Sequence, residues 1–413
     1  SIINGHLPIR DFWIFTGLLV DYMEAVFLYL FGNNWNSHLA HSSFMNIVAT
    51  AGLYFFLKEY NLKLSYIFFY CLCFATLCYP LSGTPFAYMH AFIFSLLAIF
   101  NLLIAIKKRN NFLWFLFPFI CMFAFLSMQT PTVYILTILL ILLVLHFSRE
   151  KKFENLKFFL IGGISSISLF FLFLIFTETP IINFIYQYIL FPLTIGDGRI
   201  TSKEIAYISL IDQFNLKRLF GEFKFIHIFL IPLIFLSFKI IKKKNRNLNY
   251  LNFTIIFSTL AFFFNQLITA NQIYIFSLIP ILAAIVHINL DNLKINPKIL
   301  YLLIFIVFFA TIKFHFRFNI DRKFHDLENI DKHKAINANV VNKNFKNLKW
   351  ISKLDDPKNE LTVIKEAMEV IVNDGREKTL ITHYQFMSTF LDKPLNILNR
   401  WYLWDNNTHP TEN

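Results

Sequence analysis

Long apolar runs separated by short charged segments dominate the chain up to Lys313. They fall at 37–57, 64–79, 85–106, 112–127, 131–147, 158–176, 223–241, 250–268, 273–288 and 299–315. A helix needs about 20 residues to cross the hydrocarbon of a bilayer, and a single water-soluble core has no use for so many unbroken runs. The pattern predicts an all-α polytopic membrane protein with about ten helical spans. Before the first run, the apolar positions from Leu18 to Phe31 follow a helical period and stop at Gly32. Pro8 cannot continue a helix from upstream, and Asp11 is placed to cap one that starts at Phe12. Asp21 and Glu24 are three apart and share a face. Two acids near the middle of a span would cost several kcal/mol, so this helix is expected to lie flat on the membrane surface.

Composition sharpens the division. The chain is 56% hydrophobic and 15% charged, against roughly 25% charged in soluble domains. Of its 38 basic and 26 acidic residues, 29 fall between Phe316 and Asn413. The domains expected are therefore 1–36, a first outer loop with a surface helix; 37–315, the membrane part with a long loop at 177–222; and 316–413, a small water-soluble α/β domain. In that last part Asn359 to Asp374 reads as a helix, since Leu361, Ile364, Met368 and Ile371 keep 3-4 spacing and Gly375 can stop it. Lys378 to Thr382 reads as a strand.

The sign of the loop charges alternates. Lys58 and Lys63, Lys107 to Arg109, Arg149 to Lys157, Lys239 to Arg246, and Lys294 with Lys298 put 16 basic residues on one side. The other side holds seven up to Lys313. The positive-inside rule makes the first set cytoplasmic. Residues 1–36, 177–222 and the C-terminal domain are then extracytoplasmic, and one further span is expected to precede Ser1. The basic residues suit topology and anionic lipids rather than a nucleic-acid groove. The four cysteines, Cys71, Cys73, Cys78 and Cys121, lie in apolar runs, where no disulfide is expected.

The opening region carries a resemblance. Gly5, Pro8, Arg10, Asp11 and Phe12, then Gly17, Leu18, Leu19 and Tyr22, then Phe31 and Gly32, resemble the first extracytoplasmic region of the GT-C superfamily of integral membrane glycosyltransferases. The bacterial protein-mannosyltransferase-like and lipopolysaccharide-core-transferase-like groups are the most similar. Ile9 stands where that pattern has Tyr, Leu18 where Pro is common, and Ser127 to Pro131 is similar to a short loop of these proteins, with Met128 in place of Lys. The resemblance implies a multi-pass protein of the bacterial cytoplasmic membrane with a periplasmic C-terminal domain. It implies an inverting transfer of a sugar from a polyprenyl-phosphate donor to a glycan, lipid or protein acceptor, with an outer-loop acid as general base. Membrane lipids are partners in this reading, and whether a divalent metal takes part stays open.

Each candidate has a plain alternative. Asp11 is the catalytic acid or only a helix cap. Arg10 and Arg199 hold the donor phosphate, or else Arg10 snorkels and Arg199 sits in a glycine turn with Asp197. Gln129 contacts the donor or satisfies a turn, and His90 lines the donor cavity or packs. Asp21, Glu24 and Asp197 line the acceptor pocket or form a solvated edge. His38 and His41 are three apart at the entrance of a run and are interface histidines rather than metal ligands; no metal site is expected. Trp350, Trp401, Tyr402 and Trp404 either contact acceptor or are core. No nucleophile elbow, P-loop or dinucleotide fingerprint occurs. Two other functions compete: an O-antigen-type polymerase or ligase working through Arg199, and a transporter, which would need mid-span charges that are nearly absent.

Overall fold

The computed structural model describes residues 2–78, 85–149, 154–194, 215–268, 274–321, 331–346, 348–352 and 356–376. The chain is a multi-pass helical membrane protein. Each of the ten runs contains a helix. In chain order the helices are α1 (Leu18–Phe31), α2 (Trp35–Glu59), α3 (Leu64–Leu77), α4 (Ala87–Lys108), α5 (Asn111–Ser127), α6 (Gln129–Phe147) and α7 (Glu154–Phe176). There follow α8 (Ile181–Thr194), α9 (Lys224–Lys242), α10 (Arg246–Ile268), α11 (Leu278–Leu293) and α12 (Pro297–His315).

Seven of these are long and apolar enough to cross a bilayer: α4, α6, α7, α9, α10, α11 with the turn before it, and α12 with the turn after it. Of the ten spans expected, the other three runs hold α2, α3 and α5, which fall outside this set. Helices α3 and α5 are apolar but short. At 1.5 Å per residue the 14 residues of α3 reach about 21 Å, less than the hydrocarbon thickness of about 30 Å. Helix α2 has 25 residues, but Asn36, Ser37, His38, His41, Ser42, Ser43 and Asn46 make its first half polar.

Helix α4 lies among α2, α5 and α6, and α11 packs against α3, α9 and α12. Both are buried almost all round, whereas α7 and α12 turn Ile164, Ile175, Phe176, Tyr301 and Phe305 outward. An apolar helix bare on most of its surface is stable only against lipid. Between α10 and α11, Asn252 and Asn289 exchange amide hydrogen bonds at 3.0 and 2.8 Å, a buried polar tie of the kind that fixes helix register in a membrane.

The two ends of the bundle differ. At one end Lys108 pairs with Glu59 at 2.7 Å, Lys107 donates to the Glu59 carbonyl, and Lys243 donates to the Asn292 carbonyl at 2.9 Å. This is the end to which the charge alternation assigns its basic loops. The opposite end gathers the segment before α1, the α5–α6 junction, the end of α7, and α8.

Beyond the bundle, two short antiparallel strands, β1 (Ile336–Asn337) and β2 (Lys349–Trp350), pair with Ile336 opposite Trp350. Helix α13 (Pro357–Asn373) covers them through Leu361, Ile364 and Met368. Its start is capped by Asp356, which accepts from the Lys358 N–H at 2.9 Å. The strand expected at Lys378 to Thr382 lies outside the described residues. All four cysteines are free thiols.

Candidate functional site

The segment leading into α1 is not the expected helix from Phe12. Helix α1 begins at Leu18, and Gly17 before it takes a left-handed conformation (φ 82°) without a side-chain cap. Asp11 instead folds back on its own loop, its Oδ2 accepting from the Leu7 N–H at 2.7 Å. The reason is that distant partners take the backbone groups a helix would have used. Gln187 accepts from the Ile14 N–H and donates to the Ile9 carbonyl, both at 3.1 Å. Gln129 donates to the carbonyls of Phe15 and Tyr188 at 2.8 Å each, and the Gly17 N–H reaches the Ser127 carbonyl at 2.9 Å. Buried backbone groups must be paired somewhere, and here the pairs come from α8 and the α5–α6 junction. Ile9, Ile14 and Leu18 pack with Leu126, Phe184 and Tyr188 beneath the loop. Ile9 has a positive φ of 71°, a strained state for a β-branched residue, held by the Gln187 bond and this packing.

Arg10 closes the loop. Its Nε and Nη2 take the two Asp11 oxygens at 2.9 and 2.8 Å, Nη2 also reaches the Gly5 carbonyl at 3.0 Å, and Nη1 reaches the Thr177 carbonyl at 3.1 Å. Four of the five guanidinium N–H groups are then engaged.

A second group sits between α1 and α2. Glu24 lies 2.7 Å from His38 Nδ1 through Oε1 and 2.7 Å from His41 Nδ1 through Oε2. His41 Nε2 meets His90 Nε2 of α4 at 3.0 Å, and His90 Nδ1 meets the Phe86 carbonyl at 2.9 Å. His41 is also stacked on Phe27, ring centroids 4.7 Å apart and planes 9° from parallel. Burial acts to raise the Glu24 carboxyl, but the hydrogen bonds from His38 and His41 outweigh it and hold the group down to about 2. The His38 side chain keeps 33% of its surface exposed, whereas that of His41 has none. A neutral imidazole with one nitrogen bound to a carboxylate presents its other nitrogen as a proton acceptor. His38 is thus the one of the two histidines beside Glu24 that a molecule outside can reach.

No family model, curated protein or solved structure matches the chain.

The expected site residues therefore divide. Glu24 and His90 belong to one hydrogen-bonded cluster. Arg10, Asp11 and Gln129 belong to the neighbouring clamp, and Asp21 lies half-buried in the first turn of α1. Asp197 and Arg199 lie outside the described residues, as do Trp401, Tyr402 and Trp404. Trp350 donates to Glu360 at 2.9 Å within the C-terminal unit. Among the described residues no group of three or more His, Cys, Asp or Glu is arranged to hold a metal ion. His38 and His41 were read in the sequence only as interface residues. Their spacing puts them on one face of α2, but nothing local points to Glu24, 17 positions away, or to His90, 49 away.

Proposed function

We propose that this protein is an inverting membrane glycosyltransferase. It moves a sugar from a polyprenyl-phosphate donor to a glycan, lipid or protein acceptor on the extracytoplasmic face of a bacterial cytoplasmic membrane. In this reading α2, α3 and α5 complete ten crossings, and the C-terminal part is periplasmic. The observation that carries the proposal is the Glu24–His38 pair, with both heavy atoms 2.7 Å apart, at the end of the bundle away from the basic loops. The resemblance of Gly5 to Gly32 to the first outer region of GT-C transferases supports it.

The chemistry needs a base at that level. An acceptor hydroxyl attacks the anomeric carbon of the donor. The bond from that carbon to the phosphate oxygen breaks, and polyprenyl phosphate leaves with the electron pair. The hydroxyl proton passes to the free nitrogen of His38, which Glu24 orients and stabilises as imidazolium. Asp11 is the less suited base in this reading, because both its oxygens are held by Arg10 and an acid pinned to a guanidinium is a weak base. Arg199 and the remaining Arg10 N–H are the candidates to meet the leaving phosphate.

The test is reconstitution in liposomes with radiolabelled polyprenyl-phosphate sugars and a mixture of surface-glycan acceptors. The wild-type protein should release polyprenyl phosphate and label an acceptor, and His38→Gln should lose about 10²- to 10⁴-fold of the rate. Absence of transfer and of donor hydrolysis across hexose and pentose donors would overturn the proposal.

A further inference from the structure

The direction of every hydrogen bond from Phe86 to Glu24 follows from one backbone carbonyl. The Phe86 oxygen can only accept, so His90 Nδ1 carries a hydrogen. With that nitrogen protonated, a neutral His90 has its lone pair on Nε2, and His41 Nε2 must donate to it. The Glu24 carboxylate also only accepts, so His41 Nδ1 must donate as well. Both nitrogens of His41 then carry hydrogen. All three contacts can form together only if the chain holds one proton more than a carboxylate and two neutral imidazoles. Coulomb attraction puts that proton on His41, whose ring touches Glu24, rather than on His90, one ring further away.

We propose that His41 is a buried imidazolium whose charge is set by His90, and that the two are positioning residues that hold Glu24 against His38. The assignment rests on the transferase reading for its purpose and on the hydrogen-bond geometry alone for its charge. Among the described residues, the titratable groups recorded in contact with His41 are Glu24 of α1 and His90 of α4, and His38 on the same helix meets the other Glu24 oxygen. The consequence is a division of labour. His41 is closed to solvent and neutralises Glu24 from inside. The second carboxylate oxygen lies 2.7 Å from Nδ1 of the half-buried His38 and is left to act on that ring.

The charge is read directly by nitrogen NMR of the full chain labelled with ¹⁵N-histidine in lipid nanodiscs at neutral pH, the His41 signals being assigned by their loss in His41→Gln. Both His41 nitrogens should be protonated in the wild-type protein. In His90→Phe the acceptor for Nε2 is gone and His41 should become singly protonated. In His90→Gln a side-chain carbonyl replaces the acceptor and the doubly protonated state should persist. A singly protonated wild-type His41 overturns the proposal, and so does a doubly protonated one in His90→Phe. In the transfer assay, His90→Phe should lower kcat about tenfold and shift the pH profile while leaving KM unchanged, and His90→Gln should restore both. A wild-type protein that transfers no sugar would sink the transferase reading while the NMR result still decides the charge.

Discussion

Arg10 grips Asp11 at two points, Nε to Oδ1 at 2.9 Å and Nη2 to Oδ2 at 2.8 Å. The hydrogen bond from Arg10 is the main reason the Asp11 carboxyl sits below its usual range. Through Thr177 the same guanidinium ties the opening loop to the end of α7. Asp11→Asn keeps the shape but loses the charged pair. Its expected effect is a loss of about 0.5–1 kcal/mol in stability and only a few-fold in transfer rate, measured by thermal unfolding in detergent and by the liposome assay. A hundredfold loss of rate with unchanged stability would return the base to Asp11.

Gln129 supplies one nitrogen to two carbonyls, Phe15 and Tyr188, each at 2.8 Å. Removing it leaves two acceptors short of a partner in a sheltered place, worth about 1–3 kcal/mol. Gln129→Ala should lower stability by that amount. Gln129→Glu should do worse at neutral pH, because it aims a carboxylate at two carbonyl oxygens. The order is checked by the unfolding midpoints of both variants, and equal midpoints for Gln129→Glu and the wild type would show that the clamp does not depend on the donor.

The helices were legible because the apolar runs are local, and lipid enforces backbone pairing within each segment. The polar residues in the first half of α2 lie in the same stretch of sequence as its apolar run, and hydropathy alone does not say where that helix enters the membrane. The clamp was not legible. Its bonds join residues 114 and 59 positions apart, and a glutamine gives no local sign of its partner. Asp11 beside Phe12 looks like a helix cap until Gly17 is seen to take the left-handed turn and delay the helix to Leu18. The histidine chain failed to show for the same reason of distance. Glu24 and His41 each look ordinary on their own helices, and only the packing of α1, α2 and α4 makes them neighbours.

The contact of α5 with α7 gives a paired test. A Cβ on Gly162 would meet the Phe115 backbone, with the carbonyl carbon at 2.9 Å, whereas nothing lies within 4 Å of one on Gly163. Backbone cannot swing aside as a flexible side chain does, so the helices must part. Gly162→Ala should destabilise by about 1–3 kcal/mol. Gly163→Ala should be neutral or slightly stabilising, since alanine favours the helix by up to about 1 kcal/mol over glycine. Unfolding midpoints of the two single variants decide it, and equal values would mean that α7 is not packed on Phe115.

The Glu24 carboxyl is held down to about 2, below its ordinary value of 4.5, by the hydrogen bonds from His38 and His41 working against burial. A group whose folded value is depressed binds protons more readily when unfolded. Its contribution is therefore fully present above the unfolded value and is lost as pH falls through the folded one. For Glu24 the window runs from about pH 4.5 down to about 2. The contribution at stake is at most about 3 kcal/mol, and solvent around the partly exposed carboxylate screens it to less. Because α1 meets α2 through this carboxylate, the loss should first be felt as loosening of α1 rather than as collapse of the bundle. A cysteine placed at Val20, buried at 3% exposure, should become reactive to a membrane-impermeant, low-pH-active thiol reagent across this window. Glu24→Gln should make the reactivity high and independent of pH between 6 and 3. If the wild-type background labels equally at both ends of the window, the carboxylate does not hold α1 in place.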